Sequence, residues 1–403
     1  MNASAKTVHQ SGVIARNAVL ACFLLMGLVS MGWVPRIPEI KDAIGLSNAQ
    51  FGFILLGSTF GSIAGAQLAG RLIHTYGSRR VARIAIFIMP TGLAGMALAR
   101  TGIELFLALL VMGIGYTSLD MTLNFQGVVI EKILARRWMS TFHAMWSVGA
   151  FLTTIIGGAI ARHVDPRTNL LVIAAICFIF FIPSARSLLS DELDGHSGEE
   201  EHEAKIELFG PRVTVLWWLG IAMMGSMIAE GAASDWGAIL LRDNLGFGKG
   251  VNASAFASFS LAMITARFLG DKTLDRFGPR RTVQWGGYIG ALGWASAMVA
   301  AVLIVDAHPL IALIVVNIGY AVAGFGIGPM FPALILAATS VPGMSPAVAM
   351  SRVGVIGMAG FFFGPSVIGL LAELTSLPFA MAYPLGMLAL TGFLSRAIAQ
   401  KKS

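Results

Sequence analysis

The sequence predicts an all-α membrane protein of twelve transmembrane helices in two pseudo-symmetric six-helix bundles. Three observations carry that prediction. Hydrophobic residues make up 56% of the 403 residues and charged residues only 12%, with a mean hydropathy of +0.77, far more apolar than a soluble core of this length needs. The apolar residues gather into runs of about 20, long enough to cross the hydrocarbon as helices that satisfy their own backbone. One hairpin, finally, is written twice. GRLIHTYGSRR at 70–80 and DKTLDRFGPRR at 271–281 align so that Gly77, Arg79 and Arg80 recur as Gly278, Arg280 and Arg281, 201 residues later.

The first span, 14–34, follows Lys6 and Arg16 and leads into eleven others, which separates it from a signal peptide. Spans at 49–69, 81–99, 104–129, 139–160 and 168–185 complete an N-terminal bundle over 1–185. Residues 186–212 form a polar linker with Asp191, Glu192, Asp194, Glu199, Glu200, Glu201, Glu203, His196 and His202. A solvated, flexible charged tether is the reading of that linker preferred over a metal or pH sensor. Spans at 213–236, 252–270, 282–304, 309–338, 351–372 and 377–396 then fill a C-terminal bundle over 213–403. With both termini cytoplasmic, that side holds 21 Lys and Arg and the other 7, together the 28 of the chain. That asymmetry obeys the positive-inside rule and predicts a multi-pass protein of a bacterial-type inner membrane.

A net charge of +7 would suggest nucleic acid in a soluble protein; here its placement across the membrane accounts for it, and no nucleic-acid partner is expected. Cys22 and Cys177 fall inside spans and offer neither a disulfide framework nor a metal set. No GxxxxGK[ST] loop, HExxH or paired CxxC occurs, so ATP-driven transport and metal-dependent enzymology both lack their parts. No cofactor, no metal and no enzymatic activity are expected, and the energy for any transport must come from a gradient. A duplicated membrane bundle suits a carrier whose halves rock against one another.

These residues resemble the major facilitator superfamily over essentially the whole chain. Its signature loop between the second and third helices has Gly, three residues, Asp, two residues, Gly and then basic residues. The first copy here keeps Gly70, Gly77, Arg79 and Arg80 with His74 in the place of the Asp; the second keeps Asp275, Gly278, Arg280 and Arg281 and shifts its first glycine to Gly270. The resemblance implies a cytoplasmic gate built from Gly70, Arg71, Gly77, Arg79, Arg80, Asp271, Asp275, Arg276, Gly278, Arg280 and Arg281, closing through charge pairs and helix-end dipoles. His74 cannot supply a fixed negative charge.

Within the superfamily the chain is similar to the fucose-proton symporter group and its MosC-like relatives. LDMTLNF at 119–125 is similar to the sugar-symporter pattern Leu-Glu-x-x-x-Asn, with Asp120 at the protonatable carboxylate and Asn124 at the Asn. WVPRIPEIKDAIGLS at 33–47, HAMWSVGAF at 143–151, EGAASDWGAILLRD at 230–243 and GFGIGPMFPAL at 324–334 are further similar stretches. Val34 stands where the fucose permeases carry a second acid, so the MosC-like branch suits better, and the resemblance implies polyol-like or amino-inositol-like solutes.

Ionisable side chains within spans are expensive, so each invites a functional reading. Asp120 lies roughly 24 Å into the fourth span, and Asn124 shares its face one turn on. Together they suit a proton-coupling carboxyl beside a solute-binding amide; the alternative is a carboxylate satisfied by a neighbouring helix. His143, with Trp146 three residues on, suits proton coupling and the stacking of a hydroxylated ring, or else simple packing. Adjacent helices can bring His143 toward Asp120. Glu230 and Asp235 flank a GAAS run near the expected outer mouth, as solute-binding gate residues or as helix-end partners of Arg36 or Arg242. Arg352 opens the eleventh span and either binds a solute anion or snorkels.

The leading function is a monomeric secondary active transporter of a small polar, sugar- or polyol-like solute, working by alternating access and coupled to protons, with lipid as its surroundings. Two alternatives stay open: proton-coupled efflux of drugs or amphipathic metabolites, and a non-transporting solute sensor. GFFFGPSVIG at 360–369 is similar to the antiporter signature but sits in the eleventh span; the fifth has GAFLTTIIGG without the proline, which disfavours drug efflux.

Overall fold

The computed structural model describes residues 3–190, 193, 211–341 and 346–398. The acidic and histidine residues of the linker singled out above lie outside them. Among the described residues there is no strand.

The first half runs α1 (Ala3–Met31), a 3-10 turn (Val34–Arg36), α2 (Ile37–Ile44), α3 (Asn48–Ile54), α4 (Leu56–Tyr76), α5 (Ser78–Leu98), α6 (Gly102–Leu134), α7 (Met139–Ile160) and α8 (Pro166–Arg186). The second runs α9 (Pro211–Asp235), α10 (Gly237–Ile239), a π-helical turn (Leu240–Asn244), α11 (Ser254–Phe268), α12 (Gly270–Ile304), α13 (Pro309–Ile327), α14 (Met330–Thr339), α15 (Pro346–Leu374), α16 (Leu377–Ala380) and α17 (Ala382–Leu394). Among the described residues, eleven helical runs are long and apolar enough to cross a membrane. The twelve-span fold is recovered at Gly278, whose φ of 73° and ψ of 164° turn the chain within α12. Residues 270–277 continue the 15-residue α11 as the eighth span, and Pro279 opens the ninth. Gly77 takes the same backbone conformation in the first hairpin, φ 81° and ψ 154°. An L side chain is costly there, which explains why glycine recurs in both copies.

Large apolar side chains stand exposed along the helices, Leu303 at 77% and Ile103 at 75% among them. In water such a surface would drive association, whereas lipid accepts it.

The chain forms two compact units, Met1–Leu46 with Ile54–Glu201, and Ser47–Phe53 with His202–Ser403. Within the second unit, α3 lies against α15. A Cβ on Gly52 would sit 2.5 Å from the Pro365 carbonyl oxygen, so the two backbones touch. Glu373 Oε2 accepts the Asn48 and Ala49 N–H groups at 3.0 and 3.4 Å, and Phe51 sets its ring edge-on to Trp236 at 5.4 Å. A carboxylate on the first N–H groups of a helix also meets the positive end of its dipole.

Candidate functional site

In the first unit, α6 and α7 bring three of the expected residues into one line. Asn124 Nδ2 donates to the Asp120 backbone carbonyl at 2.9 Å, and the amide also partners the Asp120 carboxyl. Its Oδ1 is thereby turned to His143, whose Nε2 lies 3.1 Å away. With the amide oxygen as acceptor, that imidazole nitrogen carries the proton. Asn124 therefore stands between Asp120 and His143.

The line is held from α1. A Cβ on Gly27 would lie 2.0 Å from the Trp146 carbonyl oxygen, and one on Gly149 would lie 2.1 Å from that of Leu24. Only glycine lets α1 and α7 meet at that distance. Their contact sets Phe23 against His143, ring centroids 5.1 Å apart, and stacks Phe23 on Phe142 at 6.0 Å. Trp146, one turn beyond His143, is half-buried, and its indole N–H has no hydrogen-bond partner among the described residues. A carboxyl, an amide and an imidazole in a row can hold hydroxyls and exchange a proton, with an indole beside them to stack and donate.

In the second unit Glu230 pairs with Arg267 of α11, Oε1 to Nη2 at 3.9 Å. The helix runs on past Trp236 through α10 and the π-helical turn, so Glu230 lies roughly 21 Å before Asn244 at 1.5 Å per residue. Arg267 lies in the last turn of α11, ahead of the further helical turns at 270–277. Asp235 accepts the Ser234 hydroxyl at 3.0 Å, while Arg242, a partner considered for it, pairs with Asp243 at 2.5 Å. Arg36, the other, is fully buried in the first unit, donating to the Val164 carbonyl at 2.6 Å and meeting Glu39 at 3.0 Å. Arg352 keeps Nε and Nη1 buried without hydrogen-bond partners among the described residues.

The family signature of the Major Facilitator Superfamily matches residues 19–347. The chain belongs to that superfamily. It is similar to an uncharacterized MFS-type transporter of Yersinia pestis, 29% identical over 374 residues that cover 92% of each chain. It is also similar to the membrane protein MosC of Rhizobium meliloti, 27% identical over 373 residues, 91% of this chain and 86% of that one. Among solved structures, the nucleoside transporter NupG as its D323A mutant superposes with a TM-score of 0.76 over 96% of this chain and 100% of that one; at 13% identity this bears on the fold alone. As a member of the Major Facilitator Superfamily the chain is a multi-pass membrane transporter of small molecules and not an enzyme.

The superfamily hairpin is fastened differently in its two copies. In the first, Gln126 of α6 is fully buried; its Nε2 donates to Ser78 Oγ at 2.8 Å and to the Leu189 carbonyl at 3.2 Å, and its Oε1 accepts the Leu189 N–H at 2.8 Å. Arg79 donates to the Arg186 carbonyl. Arg71 and Arg80 are exposed, and a Cβ on Gly70 would lie 3.9 Å from the Met121 methyl. In the second copy Asp275 and Arg276 are exposed, with Arg276 over the Phe277 ring at 5.3 Å; Arg281 is exposed, and Arg280 keeps a buried Nε without a hydrogen-bond partner among the described residues. Asp271 lies in the first turn of α12, and its side chain is outside the described residues.

Among the described residues no group of three or more His, Cys, Asp or Glu is placed to hold a metal. Cys22 and Cys177 are buried and free. Sequence reasoning missed Arg267 and Gln126 as anchors. An arginine within a span is itself the signal that finds the first; the second has only an amide inside an apolar run.

Proposed function

We propose that the chain is a secondary active transporter working by alternating access, that it carries a small polar, sugar- or polyol-like solute, and that Asp120 and His143 couple it to protons. The observation that carries this reading is the line from Asp120 through Asn124 to His143 within a bundle of otherwise apolar helices. Its two ends are ionisable side chains and its centre is an amide already holding both, so a change of charge at either end is felt at the solute-binding group. Trp146, with an unspent indole N–H, supplies a ring for stacking. Glu230, Asp235 and Arg352 supply further polar contacts from the second unit, and the unspent guanidinium nitrogens of Arg352 suit an oxygen-rich solute. The likeness of residues 119–125 to the sugar-symporter pattern supports the same solute class.

In this reading the protein works as a monomer in an inner membrane with both termini cytoplasmic, supported by the threefold excess of Lys and Arg on that side. The two hairpins form its cytoplasmic gate. Purified protein in proteoliposomes, given an imposed pH gradient and a panel of radiolabelled sugars and polyols, tests the proposal. The wild type is expected to accumulate one of them against its gradient; Asp120→Asn is expected to retain exchange and lose accumulation. Accumulation untouched by that substitution, or by a proton uncoupler, would sink the coupling.

A further inference from the structure

The hinge between α6 and α7 carries an open cavity of about 310 Å³, lined by Val128, Glu131, Lys132, Ala135, Arg136 and Arg137. Its backbone is unusual: Ala135, with φ at 47°, is the only non-glycine residue at positive φ among the described residues. Left-handed backbone at a side-chain-bearing residue costs energy and persists where the surroundings impose it. The single carboxylate of the lining is already engaged, since Glu131 Oε1 accepts the Trp138 and Met139 N–H groups at 2.5 and 2.8 Å, on the first turn of α7. Against that one negative charge the lining sets three cations, and among the described residues none of them has an ion-pair partner. Arg136 lies over the Trp138 ring at 4.7 Å, and Arg16 of α1 lies over the same ring at 4.5 Å, which brings a fourth cation to the rim.

We propose that this cavity binds the phosphate headgroup of an anionic phospholipid from the adjacent leaflet, with Lys132, Arg136 and Arg137 on the phosphate oxygens. Arginine and lysine in a concave, partly apolar setting are the chemistry for such a group, and guanidiniums bind phosphate bidentately. The lipid is favoured over free phosphate by the floor of the site. Val128 is 44% exposed and lies one turn from Lys132 within the membrane-crossing α6, so the apolar surface of the span runs directly into the charged lining. A free anion has no use for that floor; an acyl chain does. The bound headgroup joins Lys132 at the end of α6 to the connection that leads into α7, and so ties lipid charge to the geometry of that turn.

Native mass spectrometry of the full-length protein, titrated with phosphatidylglycerol or phosphatidylcholine, is the test. Wild type is expected to hold phosphatidylglycerol in preference. The double variant R136Q/R137Q is expected to lose about tenfold or more in occupancy at matched lipid, since each basic residue near an anionic surface contributes roughly fivefold. Lys132→Gln alone, a milder change for folding, is expected to lose part of it. R83Q/R396Q, which removes two exposed arginines elsewhere, is expected to stay within about twofold. Equal loss in both double variants would reduce the site to diffuse surface charge, and an unchanged R136Q/R137Q would remove it. Displacement of the lipid by millimolar inorganic phosphate would make it a free-anion site.

Discussion

The two hairpins that share a sequence share a turn and little else. Gly77 and Gly278 adopt the same left-handed, extended-ψ backbone, so the part of the repeat that backbone sterics dictate has been kept in both. The polar bonds around them have not. Ser78 accepts from Gln126, which also holds Leu189, whereas the position after Gly278 is Pro279, and 201 residues beyond Gln126 stands Ile327, buried and apolar. The helix starts differ in the same sense. In the first unit α6 opens on a capping box, Thr101 accepting the Glu104 N–H while Glu104 accepts those of Arg100 and Thr101, and α8 opens on Asp165, which accepts the Thr168 N–H. In the second unit α13 and α16 start from His308 and Ser376 without a side-chain cap, each with a proline in the first turn. Proline removes one of the N–H groups that a cap would serve, although α8 begins with Pro166 and still uses the Asp165 cap. Duplication preserved what the backbone requires, while each half acquired its own means of fastening.

The most severe way to break this contrast is Gln126→Leu. It strands the Leu189 N–H and carbonyl in a buried setting, and a loss of about 2–4 kcal/mol is expected from unfolding in detergent. Ile327→Leu, the matching control in the second unit, is expected to cost under about 1.5 kcal/mol. A comparable loss in both would mean the stitches carry no more than packing. The shared part is tested next. Gly77→Ala and Gly278→Ala each force a methyl group into positive φ and are expected to cost about 1–2 kcal/mol apiece, nearly equal because the dihedrals are. A large difference between them would show that the turn, too, has diverged.

All twelve spans were legible in the sequence, because length and hydropathy in lipid leave few alternatives to a helix. The bends within them were not. The helix of the seventh span continues past Trp236 to Asn244 and the eighth breaks at Leu269, neither marked by a proline. In the candidate site the one-turn spacing of Asp120 and Asn124 was plain, since four residues on a helix share a face. The bond from Asn124 to His143 was not, because it depends on how close α7 can come, which glycines packed on α1 decide. Arg267 was passed over as a residue near the end of an apolar run. The chain continues helically for two more turns beyond it, and the arginine pairs with Glu230.

The capping difference gives the smaller tests. Thr101→Ala removes one half of the box on α6 and is expected to cost about 1 kcal/mol. Ser376→Ala at α16, which has no cap bond to lose, is expected to stay within about 0.5 kcal/mol.

Asp165 adds a pH signature that the second unit lacks at its corresponding helix starts. Its carboxyl is held below the usual carboxylate range by hydrogen bonds from Thr168, side chain and backbone. A depressed value in the folded state means that the unfolded chain binds the proton more readily. The contribution is therefore complete above the ordinary Asp value near 4 and is lost as the pH falls through the lower folded one. Unfolding of the wild type followed from pH 6 down to pH 3 is expected to show this loss as a slope, small because the group is fully exposed. Asp165→Asn keeps an oxygen on the Thr168 N–H and removes the titration, so the slope attributable to this site should vanish while stability at pH 6 changes little. A slope unaltered in Asp165→Asn would place the acid sensitivity of the first unit elsewhere and leave the caps of the two units electrostatically alike.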